Sequence, residues 1–264
     1  MSAIVFLGGG RITSALLAGL RLAQYKQPII VHDIDLQKLR DLQRAYGVEV
    51  ESDLRRAVNE AKLLIIAVRP DSVGQLLRHI NFVDWPLGAV SLAAGVPLST
   101  LRADLRPPVC WARAMPSPTC RSGRGLTAVT FGRNFPPRCQ REVCQLFSAV
   151  GPVLEIPESK FDAFTATYSC SHGYHALATL AAAAKKIGLD HQTALTAAAH
   201  ALADGIAAWR DSDTSLDALI HEAATPGGIA AAVMNAMDRA GYARVVQKGL
   251  EAGRKRAQKN ARIA

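Results

Sequence analysis

Residues 3–15, AIVFLGGGRITSA, limit the fold more than any other part of the chain. Four apolar residues, Ile4-Val5-Phe6-Leu7, stop at three glycines, and a helical pattern then begins with Ile12, Leu16, Leu17 and Leu20 on one face. An apolar run closed by glycines and followed at once by a helical period is a strand, a tight turn and a helix start. That is the setting a dinucleotide-binding fingerprint requires. Gly8 permits the turn, and Gly10 lets the main chain come close to a pyrophosphate. The first helical amides, at Arg11 and Ile12, then point at the phosphates along the helix dipole. Thr13 holds the place of the third fingerprint glycine, where a β-branched residue is expected to push the helix away from the strand. The structural alternative is a plain strand-to-helix turn whose glycines serve only positive φ.

The pattern repeats along the first part of the chain. Residues 28–33, PIIVHD, read as a second strand ending in Asp33, about 20 residues beyond the glycines, where the fingerprint places the acid that binds an adenosine ribose. That carboxylate would repel a 2′-phosphate, which favours NADH, while Arg11 and Arg40 keep NADPH open as phosphate partners. Asp33 has a second possible role as a helix N-cap, because a helix starts directly after it. Residues 63–68, LLIIAV, are continuously apolar and bounded by Arg69-Pro70, as in a central strand buried on both faces. Residues 89–95 repeat that reading, with shorter strands at 48–50, 109–112, 128–131 and 152–156 and helices at 71–79 and 142–150. Strands alternating with helices predict a doubly wound parallel sheet, whose ligands lie at the carboxyl ends of the strands. Ala67, Val68, Arg69, Pro70 and Ala94 fall there, with the glycine turn and Asp33.

After about Asp162 the composition changes. Alanine dominates, strand signals cease, and helices are expected over 176–187, 192–209, 231–241 and 244–257. The predicted division is residues 1–160 for the nucleotide and 161–264 for an all-helical domain. Small residues at that density let helices approach closely and leave surface for a partner.

The net charge of +9 raises the question of nucleic acid. Few aromatics interleave with the basic residues, no nucleic-acid motif is present, and part of the excess sits in a tail, Arg254 to Arg262, that reads as a solvated helix end. No nucleic-acid partner is expected. No apolar run reaches the ~20 residues that span a bilayer, so no membrane partner is expected either. The chain opens on its strand without a basic leader, and a cytoplasmic location is the expectation. The five cysteines are an odd number without CxxC spacing, which points to free buried thiols rather than disulfides or zinc.

The chain resembles the pyrroline-5-carboxylate reductases over almost its whole length. Phe6-Leu7-Gly8-Gly9-Gly10 corresponds to the family's FIGxG, Ala67-Val68-Arg69-Pro70 to AVKP, and Ser91-Leu92-Ala93-Ala94-Gly95-Val96 to SIAAGV. Arg113-Ala114-Met115-Pro116 matches RxMP, Leu146-Phe147 with Gly151 matches LFxxxG, and Thr225-Pro226-Gly227-Gly228 matches [ST]PGG. The resemblance implies an N-terminal Rossmann domain, an all-α dimerisation domain, and reduction of Δ1-pyrroline-5-carboxylate to L-proline by NAD(P)H. It also implies an active site between the cofactor domain and helices contributed partly by a second subunit. The departures gather where the substrate should sit. Ser117 replaces the asparagine of MPNTP. SGSGPAY reads Ser169-Cys170-Ser171-His172-Gly173-Tyr174-His175. Ala230 replaces the threonine of PGGxT, whose hydroxyl contacts the substrate in the family.

Candidate roles follow. Glycines at residues 225–228 expose amides in a nest that can hold a carboxylate, and the same stretch reads as a helix start with Thr225 as cap and Pro226 in the first turn. Ser171, His172 and Thr225 are the catalytic candidates, His172 or His175 as proton donor to the developing amine. Tyr168 and Tyr174 are further possible proton donors, with core packing as the other reading. Met115, Ser117, Ser169, His175, Gly227 and Gly228 are expected to bind substrate. His172 and His175 lack a third ligand nearby, and no metal is expected. The leading expectation is a homodimer, or higher homo-oligomer, that uses NAD(P)H, NADH slightly favoured, on a small imine. Its rivals are a reductase of a larger or non-carboxylate cyclic imine, and a non-catalytic nucleotide-binding protein of the same fold.

Overall fold

The structure, a computed structural model, describes residues 3–81, 83–168 and 170–262. The chain begins with β1 (Ala3–Leu7), α1 (Arg11–Leu22), β2 (Ile29–His32), α2 (Leu36–Tyr46), β3 (Glu49–Val50), α3 (Leu54–Glu60), β4 (Ala61–Ile66) and α4 (Pro70–Ile80). It continues with β5 (Leu87–Ser91), α5 (Leu98–Asp104), β6 (Val109–Met115), a 3₁₀ turn (Pro118–Ser122), β7 (Thr127–Phe131), α6 (Pro137–Ser148) and β8 (Val153–Glu155). Four of these elements follow local rules: Asp35 and Asp53 cap α2 and α3, Gly47 ends α2 at φ +68°, and Pro70 and Pro137 start α4 and α6 at the first turn.

The eight strands form one sheet in the order β3-β2-β1-β4-β5-β6-β7-β8. The first six are parallel, while β7 lies antiparallel to β6 and β8 runs parallel to β7. The doubly wound sheet therefore carries a reversed two-strand edge that strand alternation does not announce. The reason is the connection. Between β6 and β7 there is only a 3₁₀ turn, whereas a parallel return needs a crossover helix.

Successive side chains of the central strands feed two cores. Ile4, Phe6, Leu63 and Ile65 pack with Leu16, Leu20 and Phe147 on one face. Val5, Leu7, Leu64 and Ile66 pack with Val73, Leu77 and Leu101 on the other. Each such side chain contributes about 1.5–3 kcal/mol on burial, so the sheet centre is the rigid platform. β5 closes at Ser91 instead of running to Gly95, because the Val96 amide turns back to the Ala93 carbonyl (3.5 Å) and Gly95 takes φ +81°. Of the thiols, Cys120 is buried, while Cys110, Cys139 and Cys144 are free but only partly buried, less than expected.

Beyond the sheet come α7 (Glu158–Thr167), α8 (Cys170–Lys186), α9 (His191–Arg210), α10 (Leu216–Ala223), α11 (Ile229–Arg239) and α12 (Tyr242–Asn260). The chain divides into two compact units, Met1–Tyr168 with Ala252–Ala264, and Ser169–Glu251. Within the second unit α8 packs on α9, and Ala181, Ala194 and Ala198 are buried. α10 and α11 hold no buried residue at all. In the first unit the last turns of α12 lie against the sheet. Ala257 and Asn260 are buried while Arg254, Lys255, Arg256 and Lys259 face water, so the basic tail is one exposed face of a docked helix rather than a solvated end.

Candidate active site

The chain leaves β1 and β4 in opposite directions across the sheet, so the switch point, where such sheets bind ligands, lies between these two strands. Gly8 stands there at φ +113°, and a Cβ on it would sit 2.7 Å from the Ala67 carbonyl oxygen at the end of β4. Gly10 is the N-cap of α1, where no side chain caps the helix, and a Cβ on it would meet nothing within 4 Å. The positive end of α1, carrying Arg11 and Ile12, thus opens onto an unobstructed main chain, which is what a pyrophosphate needs. Thr13 does not push α1 off. Its hydroxyl donates to the Gly8 carbonyl at 2.5 Å and is fully buried, so it ties the helix to the turn.

Asp33 lies just beyond β2. Its carboxylate accepts from the Gly9 amide at 2.7 Å and the Asp35 amide at 2.9 Å, with the Lys38 ammonium 3.7 Å away. The capping role belongs to Asp35, which accepts from Gln37 and Lys38 and is held below the usual carboxylate range, first by the Lys38 amide. The N-cap reading of Asp33 is therefore replaced by a bond between the β2 end and the glycine turn. Arg40 is turned toward Gln37, to which it donates at 2.8 Å. Ile34, between the two acids, is 93% exposed.

Along the same edge, Ala67 and Val68 follow β4, Arg69 precedes Pro70 at the start of α4 with its side chain in solvent, and Ala94 is half-buried after β5. Met115 ends β6. Ser117 is buried and caps the 3₁₀ turn, its hydroxyl oxygen accepting from the Thr119 hydroxyl at 3.0 Å. The structure thus brings Gly8, Gly10, Arg11, Ile12, Asp33, Ala67, Val68, Arg69, Pro70, Ala94, Met115 and Ser117 to one edge of one unit.

The other candidates belong to the second unit, except Ser169, which lies outside the described residues. Ser171, His172 and His175 sit in the first turns of α8, where both imidazoles and Tyr174 are exposed. Residues 225–228 form a turn in which the Gly228 amide donates to the Thr225 carbonyl at 2.9 Å and Gly227 has φ +78°. Pro226-Gly227 at the two central positions fits a type II turn. Gly228, not Thr225, is the N-cap of α11, and no side chain caps that helix. The Thr225 cap is thereby corrected, while the amides of a free helix start remain.

Three residues of the first unit escaped notice as functional. Arg113 is buried between Glu158 (3.3 Å) and Asp162 (3.2 Å) and lies over the Phe161 ring at 4.4 Å. Glu158 also accepts the Leu98 amide at 2.7 Å, and Asn260 donates to the Ala94 carbonyl at 3.1 Å. The sequence does carry one sign of the last contact: Gly253, Ala257 and Asn260 recur at helical spacing within the basic tail. Tyr168 is also engaged, its hydroxyl oxygen accepting from the Leu126 amide at 2.9 Å.

Two family models match the chain: pyrroline-5-carboxylate reductase dimerisation over residues 158–260, and NADP oxidoreductase, coenzyme F420-dependent, over residues 3–91. A pyrroline-5-carboxylate reductase from Methanosarcina acetivorans is 31% identical over 201 residues, 74% of each chain. The chain belongs to the pyrroline-5-carboxylate reductase family. A Mycobacterium tuberculosis member is 28% identical over 98% of this chain and 96% of its own. The crystal structure of Plasmodium falciparum pyrroline carboxylate reductase with NADP bound shares the fold at TM-score 0.87, with 20% identity and 98% of both chains covered. The departures of this pyrroline-5-carboxylate reductase relative fall at Ser117, already engaged in its turn, and at Ala230, exposed in the first turn of α11. Three of the matched motifs instead lie at the ends of β1, β4 and β5.

Proposed function

We propose that this chain reduces Δ1-pyrroline-5-carboxylate to L-proline with NAD(P)H, as a homo-oligomer. The observation that carries the reading is the uncapped start of α1 above the open main chain at Gly10, with the Asp33 carboxylate beside it. These groups fit a dinucleotide: amides for the pyrophosphate and an acid for the adenosine ribose. When bound, the nicotinamide supplies hydride for the C=N carbon. The chain's own work is positioning and charge. Gly10, Arg11 and Ile12 hold the phosphates. Ala67, Val68, Arg69, Pro70 and Ala94 border the second half of the nucleotide. The Gly227 amide and the uncapped start of α11 after Gly228 receive the substrate carboxylate, with Thr225 at the turn. In the second unit His172 hands a proton to the developing amine, with Ser171 and His175 as its neighbours; in the first unit Met115 and Ser117 are the substrate-binding residues. Asp33 favours NADH, because its negative charge opposes a 2′-phosphate.

The oligomer is supported by the match to the dimerisation model and by the second unit's surface. Ile229 (86%), Val245 (67%) and Ile206 (52%) are exposed on a unit with few buried residues, more apolar surface than a lone helical unit leaves in water. The free thiols suit a reducing compartment, and we place the protein in the cytoplasm.

The test is oxidation of NADH and NADPH followed with pyrroline-5-carboxylate, then with a piperideine and with unsubstituted pyrroline. Turnover is expected first on pyrroline-5-carboxylate. Absence of saturable nucleotide binding at millimolar concentration overturns the proposal, and tight binding without turnover on any imine favours a non-catalytic protein. One observation supports a second reading, a different cyclic imine: Ser117 is buried with its oxygen accepting from Thr119, and Ala230 offers no hydroxyl. Ala230→Thr combined with Ser117→Asn is expected to raise activity on pyrroline-5-carboxylate. No gain favours the other imine.

A further inference from the structure

Residues 93–98 leave β5 at the edge that carries the proposed nucleotide. Their main chain is fixed at both ends by side chains from elsewhere in the first unit. At one end Asn260, in the last turn of α12 and 9% exposed, donates its amide to the Ala94 carbonyl at 3.1 Å. Gly95, at φ +81°, has the Ala257 main chain where a Cβ would stand, so α12 closes directly over this turn. At the other end Glu158, the first residue of α7, accepts the Leu98 amide at 2.7 Å. Leu98 opens α5, whose N-cap is Pro97 and lacks a side-chain cap, so Glu158 supplies that cap from a distant element. Glu158 is itself held: Arg113 binds it at 3.3 Å, binds Asp162 at 3.2 Å, and stacks on Phe161.

A loop whose carbonyl and amide are both bound at its ends has lost the alternative peptide orientations that a free loop samples. The topology says which part of a ligand this concerns. Asp33 follows β2, the adenosine side of the switch point, and the helix start at Gly10 takes the pyrophosphate. The remaining half of a dinucleotide extends over β4 and β5, toward Ala94.

We infer that Asn260 and Glu158 are positioning residues that hold residues 93–98 in the shape required by the nicotinamide half of the bound nucleotide. The inference rests on the dinucleotide site proposed above. Ordering the loop before binding lowers the cost of binding. Its removal is felt only by a ligand that reaches the loop.

The experiment compares dissociation constants of the full chain for NADH or NADPH, whichever binds, with those for ADP-ribose or its 2′-phosphate, which lack the nicotinamide. Asn260→Ala and Glu158→Ala are each expected to weaken the complete nucleotide by about fivefold, the size of one net hydrogen bond, and leave the fragment within about twofold. Glu158→Gln, which keeps an acceptor for Leu98, is expected to restore wild-type affinity. Equal losses for nucleotide and fragment, or no loss for either, overturn the inference. If Asn260→Ala does not fold, the Glu158→Ala and Glu158→Gln pair decides alone. A wild-type chain that binds neither ligand overturns the proposed function instead, so the two failures are distinct.

Discussion

The Asp33 carboxylate holds the Gly9 amide and so shapes the glycine turn. In the proposed function the same carboxylate also sets the charge met by an adenosine ribose. Replacing it with serine, Asp33→Ser, is expected to shift the ratio of kcat/KM for NADPH over NADH upward. An unchanged ratio, measured by initial rates with both nucleotides, would leave the residue a turn tether alone. Cys120 shows a simpler single-residue effect. Burial pushes its thiol up to about 11, against about 8.5 for a free thiol. The folded state therefore keeps its proton where the unfolded chain loses it. Stability from this group is complete below about 8.5 and falls as pH rises toward 11, and alkylation at pH 8 is expected to reach Cys120 after Cys110, Cys139 and Cys144. Mass spectrometry after timed iodoacetamide labelling checks the order. Sequence reading identified Asp33 by type and spacing but not its partner, because a hydrogen bond to Gly9 is a matter of where two chain segments meet. Asn260 was hidden more deeply, its acceptor lying 166 residues away.

Elements were legible where one local signal sufficed. The apolar run around Leu63 declared a central strand, and the period of Ile12, Leu16, Leu17 and Leu20 declared α1. The direction of β7 was not declared by its own residues, since a strand reads alike in either sense. What specifies it is the absence of a helix between Met115 and Thr127. The β1–α1 turn allows a clean element-level test. Gly10 has φ −76° and open space beside it, so Gly10→Val folds and only blocks the approach of a ligand. Nucleotide binding is expected to vanish with the helical signal in circular dichroism intact. α7 offers the opposite case. Arg113→Leu leaves Glu158 and Asp162 without their buried cation, and a loss of about 2 kcal/mol is expected. That is less than the ~3–5 kcal/mol of a fully buried pair, since both carboxylates are about a third exposed. Urea denaturation measures it.

For the whole molecule, the second unit is the part least able to stand alone. Its alanines permit close helix packing, yet α10 and α11 hold no fully buried residue. Composition showed that a helical domain was coming but not that its apolar residues would remain uncovered, which only the packing reveals. If copies of the chain cover them, the melting temperature is expected to rise with protein concentration, and Ile229→Glu is expected to lower the sedimenting mass. A melting temperature constant over a hundredfold dilution would argue for a monomer. The division of the first unit into two stretches of chain has its own consequence. Residues 252–262 complete a domain whose other residues all lie before position 169, so a ribosome that has just finished the sheet has not finished the domain. Until α12 is made, the turn at Gly95 stays bare, and the nucleotide cradle matures only after the helical unit has been synthesised.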